Sequence, residues 1–343
     1  MQSPHTDPTV IFEHFRGSYG SELLTAAVSH FGLFRLLNQQ PLAFEQLQVS
    51  LHLQARPLTV LLTALRAMGL IRCTADGSPR YGLTELAAEH LVEGAEFDVG
   101  HYVGLAAASP GVLEMVERLR SNRPANLETE GAAYIYRDGM RSAMEQAERA
   151  DHFTRALAGR ARNVAPALAD AIRLERETTL LDVGGGTGIY SMALLHRYPF
   201  LRAAILDRPE VLHTARKYAE QFAVQDRVDF LAADMFVDDL PPSDVILLSN
   251  ILHDWDIPEC RQLIQRCADA LNPGGRLVIH DVLLNDDLDG PLPIALYSAA
   301  LFTLTEGRAY SAQEFCSWLA AAGLTPQPPQ PTLVHCHAIQ AMR

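Results

Sequence analysis

Leu180-Leu181-Asp182-Val183-Gly184-Gly185-Gly186-Thr187-Gly188 decides the reading of this chain. An apolar run ends in an acidic residue and closely spaced glycines, and a second apolar run, Ala203-Ala204-Ile205-Leu206, ends in Asp207. The pattern predicts a nucleoside-binding strand, turn and helix. A dinucleotide fingerprint G-x-G-x-x-G needs its third glycine where Ile189 stands, whereas the spacing here is Gly184-x-Gly186-x-Gly188. The loop also lacks the lysine and Ser/Thr that hold a triphosphate and its magnesium.

A ligand with adenine and ribose but no pyrophosphate fits this pattern. Asp207 is suited to accept from both ribose hydroxyls, and Asp234, one strand further on, from an adenine amino group. S-adenosylmethionine is the first candidate. Six segments in order carry a resemblance: LDVGGGTG (181–188), LDRP (206–209), ADMF (233–236), LHDWD (252–256), NPGGRLVI (272–279) and EGRAYSAQEF (306–315). With these, residues 180–290 resemble the class I S-adenosylmethionine-dependent methyltransferases. The whole chain resembles the small-molecule O-methyltransferases of the caffeate and acetylserotonin type, including their bacterial natural-product relatives.

The resemblance implies an α/β chain, a Rossmann-like methyltransferase domain with an N-terminal all-helical winged-helix dimerisation domain. Residues 1–100 are expected to form the winged-helix domain. Residues 101–170 should be connecting helices that contribute to the acceptor pocket, and 171–343 the S-adenosylmethionine-binding domain. It also implies a homodimer formed through the N-terminal domain, a small-molecule methyl acceptor, and S-adenosyl-L-homocysteine as the spent cofactor.

The 343 residues, 48% of them hydrophobic, suffice for two domains with cores. No apolar run is long enough for a membrane span, and the N-terminus lacks the features of a signal peptide, so a cytoplasmic protein is expected. The five cysteines are scattered without C-x-x-C spacing, which suggests reduced thiols and no zinc site. A net charge of −13 argues against nucleic acid. Lys217 is the only lysine, which excludes most lysine chemistry.

Apolar positions over residues 10–37 recur at helical intervals. Phe44 to Leu51 and Pro57 to Met68 read as helices, and Ile71 to Leu83 as a wing turning at Asp76-Gly77. A winged helix raises the possibility of DNA binding, but residues 1–100 carry six arginines against ten acidic residues, the opposite of a DNA-binding balance. Between 100 and 170, Met115, Tyr134, Tyr136, Met140, Met144 and Phe153 are candidates for a pocket lining or for ordinary core. Beyond Thr178 the apolar runs 179–183, 202–206, 228–232, 244–249 and 275–281 alternate with helical patterns, which implies a parallel sheet covered on both faces. Val334 to Met342 supplies a last strand, antiparallel by resemblance.

The chemistry centres on His253, just past the carboxyl end of the fourth strand, where ligands sit in open α/β sheets. A neutral hydroxyl attacks a sulfonium methyl poorly, so a general base is useful. By alignment with the plant enzymes Asp281 is the carboxylate that orients His253, and Asp254 is a further candidate. The cofactor set comprises Asp182, Gly184, Gly186, Asp207, Asp234, Met235 and Ser249; Tyr297, Leu301, Phe302, Thr305 and Met144 are expected to face the acceptor. No metal is expected, since a lysine suited to a magnesium-dependent site is absent and residues 281–315 contain no histidine. His280 alternates with Asp281 and should point to the other side of its strand.

Two departures from the family pattern stand out. Ala309 occupies the position of a second flanking glutamate, with Glu306 three residues earlier, and Ser249 replaces a basic residue that often precedes the histidine by four. Methyl transfer to oxygen is favoured. Transfer to carbon or nitrogen on the same scaffold, or a non-catalytic cofactor-sensing winged-helix protein, are the alternatives.

Overall fold

A computed structural model describes residues 1–74, 78–123 and 147–343, with side chains from 154 onward in the last segment. The described residues form two compact units: 13–123 with 284–309, and 1–12 with 147–283 and 310–343. The division therefore differs from a linear one. Helix Leu292–Leu304 joins the N-terminal unit because it is apolar on every side, and Leu296, Ala299 and Phe302 enter that unit's core.

The apolar stripe of 10–37, most of it in the helical unit, is a broken series. Thr9–Arg16 is followed by Gly20–Thr25, a π turn at Ala26–His30 and Leu33–Gln39. Tyr19 and Gly32 adopt left-handed backbone at the breaks, with φ 74° and 57°. Helix Ala55–Ala67 buries nine of its 13 residues. It ends in a Schellman motif: Leu70 donates to the Leu65 carbonyl and Gly69, at φ 73°, to that of Arg66. This stop delivers the chain into strand β1, Ile71–Thr74, which pairs antiparallel with β2, Arg80–Leu83. The unit is thus helical apart from its wing; the expected Asp76-Gly77 turn lies outside the described residues. So do Tyr134, Tyr136, Met140, Met144 and the side chain of Phe153. Met115 is 2% exposed in the helical core.

The second unit is built on strands β3 (Thr179–Val183), β4 (Arg202–Asp207), β5 (Val228–Ala232), β6 (Ser243–Ser249) and β7 (Leu271–Leu284). Three short pieces follow, β8 (Tyr310–Ser311), β9 (Thr325–Pro326) and β10 (Gln330–Pro331), and then β11 (Cys336–Met342). The main order is β10-β11-β7-β6-β3-β4-β5. β3 to β7 are mutually parallel, and β11 runs antiparallel to β7. Near-continuous burial along β3 and β6 is what helices on both faces require. The chain winds outward from β3 to β5 and then returns to β6 on the other side of β3. That reversal opens a crevice at the carboxyl ends of β3 and β6. Among the described residues no helix is long and apolar enough to cross a membrane.

Candidate active site

A cavity of about 570 Å³ lies in the second unit at this crevice, within the roughly 300–1,000 Å³ common for small-molecule sites. Gly184, Gly186 and Gly188, at φ 67°, 58° and 71°, carry the chain from β3 into helix Ile189–Arg197. A Cβ on Gly184 would stand 2.5 Å from Ile251 Cδ1 and project beside Met235, so glycine there keeps the cavity open.

Asp207 ends β4 with its carboxylate turned back on this loop. Oδ2 accepts from the Gly186 N–H at 2.8 Å and Oδ1 from the Arg208 N–H at 2.7 Å. Burial raises its pKa, opposed by these two hydrogen bonds. Asp234, after β5, accepts from the Phe236 N–H at 2.8 Å. The same loop is held from behind by Arg266, whose guanidinium donates to the Met235 and Asp238 carbonyls. Asp182 lines the cavity from β3 and accepts from the Ser191 hydroxyl at 2.6 Å. Burial pushes its pKa up to about 7, offset in part by that bond and reinforced by the Asp207 charge. The shape and donor set fit S-adenosylmethionine: glycines where backbone must approach, and carboxylates spaced along two strand ends. Asp207 and Asp234 would hold ribose and adenine, with Gly184, Gly186 and Met235 around them.

Ser249 lines the cavity too, but its hydroxyl is committed to other side chains, His280 Nδ1 at 2.9 Å and Asn250 Nδ2 at 3.1 Å. It supports neighbours more than it offers itself to a ligand. Sequence reasoning missed Tyr190, Asn250 and Arg160, which line the same cavity. Their signal was positional only: Tyr190 follows the last glycine by two residues and Asn250 opens the loop after β6.

His253 sits in a short helical turn, Leu252–Asp254, and is 4% exposed. Its Nδ1 lies 2.5 Å from Asp281 Oδ1 on β7, and its Nε2 3.7 Å from Asp254 Oδ1. Burial disfavours its charged form, yet the Asp281 and Asp254 charges and the Asp281 hydrogen bond outweigh this and raise the pKa. Asp254 itself is raised to about 6, by burial first. Asp254, and not His253, contributes to the cavity wall. His280 points away from Asp281, as strand alternation requires, and burial lowers its pKa to about 3.

The acceptor-facing candidates belong to the helical unit. Phe302 is fully buried in that unit's core beneath the Arg56 guanidinium, and the Thr305 hydroxyl bonds the Leu301 carbonyl at 2.9 Å. Tyr297, half-buried, stacks on Arg16. Ala309 is fully buried and donates its N–H to Ser298, so no carboxylate stands at that position. Among the described residues no cluster of three metal-ligating side chains exists.

Residues 115–325 match the family model of the O-methyltransferase domain and residues 12–93 that of the O-methyltransferase dimerisation domain. A 3-hydroxy-5-methyl-1-naphthoate 3-O-methyltransferase of Streptomyces sahachiroi is 34% identical over 92% of this chain and 89% of its own. Acetylserotonin O-methyltransferase of Bos taurus is 30% identical over 92% of both. The crystal structure of an O-methyltransferase family 2 protein from Planctomyces limnophilus in complex with apigenin superposes with a TM-score of 0.89 at 46% identity, over 99% of this chain and 97% of that one. Human N-acetylserotonin methyltransferase in complex with S-adenosylmethionine gives 0.60 at 25% identity, over 100% and 99%.

Proposed function

The chain belongs to the O-methyltransferase family, and on that premise we propose that it methylates a phenolic hydroxyl of a small aromatic acceptor, with His253 as general base and Asp281 as its orienting carboxylate. S-adenosylmethionine, when bound, supplies a methyl group on a positively charged sulfur, open to in-line displacement by oxygen. Asp207 takes the ribose hydroxyls, Asp234 the adenine amino group, and Gly184, Gly186 and Met235 pack against the nucleoside. Asp182 and Ser249 brace this wall.

The observation that carries the reading is the 2.5 Å contact between His253 Nδ1 and Asp281. With the Nδ1 proton directed at the carboxylate, Nε2 is the nitrogen that would take the acceptor's proton. Phenol titrates near 10 and imidazolium near 6.5, so the transfer is uphill by about 3.5 units, or about 5 kcal/mol. Two carboxylates that raise the imidazole's pKa narrow that gap, and proximity supplies more. Asp254, on the cavity wall with a raised pKa, is suited to meet the acceptor hydroxyl alongside His253.

Two relatives support the acceptor class, one named for a hydroxynaphthoate and one crystallised with apigenin. The match to a dimerisation domain over residues 12–93 supports a homodimer. A panel of hydroxynaphthoates and flavones with labelled cofactor tests the reading. His253→Ala should lower turnover by roughly a hundredfold or more with cofactor affinity nearly unchanged. Unchanged turnover would remove His253 from the mechanism, and binding without turnover in the parent protein would favour the cofactor-sensing alternative.

A further inference from the structure

The short turn that carries His253 is closed by its own backbone and then opened again. Asp254 and Trp255 donate their N–H groups to the Ile251 and Leu252 carbonyls, both at 3.1 Å. The chain straightens at Trp255, with φ −123° and ψ 150°, and the Asp256 carboxylate caps the next helix, Ile257–Ala270. At the straightened residue the carbonyl leaves the turn. It is buried, so its hydrogen bond must come from another part of the fold.

Two side chains reach it. The Tyr310 hydroxyl donates to the Trp255 carbonyl at 2.6 Å, near the short end of the range for such bonds. The Cys260 sulfur lies 3.3 Å from the same oxygen, but it also lies 3.1 Å from the Leu252 carbonyl and has one weakly donated proton for the two. The phenol is the stronger tie.

Tyr310 is well placed to act as a fixed post. It is fully buried, and its ring meets Phe315 and Trp318 edge to face, with centroids 5.7 and 5.0 Å away. Both aromatics belong to helix Ala312–Ala321, whose start is locked by a reciprocal pair of bonds between Ser311 and Glu314. Strand β8, which contains Tyr310, pairs with β7, and β7 carries Asp281. The hydroxyl that holds the turn and the carboxylate that meets His253 therefore stand on paired strands. A bond from β8 to the residue two places beyond His253 fixes the turn against β7, and with it the gap closed by the 2.5 Å contact of His253 Nδ1 with Asp281. Ala309 brings no carboxylate to the imidazole; the next residue brings a hydroxyl to the backbone of its turn.

We propose that Tyr310 is a positioning residue for methyl transfer, its hydroxyl holding the His253 turn through the Trp255 carbonyl at the spacing where Nδ1 meets Asp281. The inference rests on the reading of His253 as general base.

Proton NMR of the full chain tests it, because a ring N–H in so short a contact with a carboxylate resonates far downfield of other histidine protons. Asp281→Asn identifies the signal by removing it. Tyr310→Phe keeps the ring and its packing; it should shift the signal upfield and raise its exchange with water about tenfold or more. The His253 titration should move to lower pH, while affinity for S-adenosylhomocysteine stays within about twofold of the parent. An unmoved signal and titration overturn the inference and leave the base reading intact. A Cys260→Ala variant that shifts the signal as far also overturns it, since the thiol would then be the tie. So does a Tyr310→Phe variant in which the other histidine signals move as well, which would make Tyr310 a general support of the fold. A parent protein without the downfield signal overturns the His253–Asp281 pair, and the base reading with it.

Discussion

Nδ1 of His253 meets Oδ1 of Asp281 at 2.5 Å, and the same oxygen also accepts the Val282 N–H at 2.8 Å. Oδ2 of that carboxylate is buried and has no partner among the described residues. One oxygen therefore anchors both the strand and the imidazole, and the ring cannot turn without leaving a buried charge unpaired. Asp281→Asn removes the largest influence raising the His253 pKa, so burial, which acts in the opposite direction, gains the upper hand. The base is active when neutral. In the parent the acid limb of the rate profile lies above the usual imidazole value of 6.5, and in the variant it should move to lower pH while plateau turnover falls roughly tenfold to a hundredfold. A profile measured from pH 5 to 9 reads both; an unmoved limb dissociates Asp281 from His253.

The three positive-φ glycines of the first loop should respond unequally. Alanine at Gly186 meets nothing within 4 Å and carries only backbone strain, about 1–2 kcal/mol. At Gly188 the new methyl would stand 2.2 Å from Ile205 Cδ1 and 3.1 Å from Met192 Cε, adding about 1–3 kcal/mol of overpacking. Denaturant titration of Gly188→Ala should show the larger loss, and adding Ile205→Val should return part of it. If the two alanine variants lose the same stability, packing against Ile205 is not what selects glycine there.

Asp182 gives a prediction with the opposite sign from an ordinary surface carboxylate. Its folded pKa of about 7 lies above the reference value of 3.8, so the fold disfavours the ionised form. The cost is absent at low pH, grows as pH rises through this interval, and is fully present above about 7. Asp182→Asn keeps an acceptor for the Ser191 hydroxyl without the charge. Its melting temperature relative to the parent should rise by a few degrees between pH 5 and pH 8. A difference that stays flat with pH would mean the carboxyl ionises freely in the folded protein.

Much of this architecture was legible from periodicity. The strands at 179–183 and 228–232 coincide with apolar runs bounded by turn residues, and β11 emerged from the last such run. Asp207 ends β4 and His253 follows β6, at the edge where ligands bind, whereas Asp281 stands inside β7 and was singled out by resemblance. The Tyr190, Asn250, His280 relay was not legible. Asn250 donates to the Tyr190 hydroxyl from 60 residues away and Ser249 bonds His280 from 31 away, and only the pairing of β6 with β7 beside helix Ile189–Arg197 brings them together. The stripe at 10–37 recurs at helical intervals without marking its breaks, where Tyr19 and Gly32 turn left-handed. Helix Leu292–Leu304 joined the N-terminal core because a helix apolar all round is satisfied by any core, and its sequence does not say which.

The grip of Asp207 on the Gly186 amide bears on timing as well as affinity. The glycine loop and the carboxylate are already locked to each other in the protein alone, so their freedom is surrendered during folding and not at the encounter with a nucleoside. Association at this end of the cavity should resemble a key entering a cut lock, with a single kinetic phase. A slow step after encounter belongs elsewhere in the molecule.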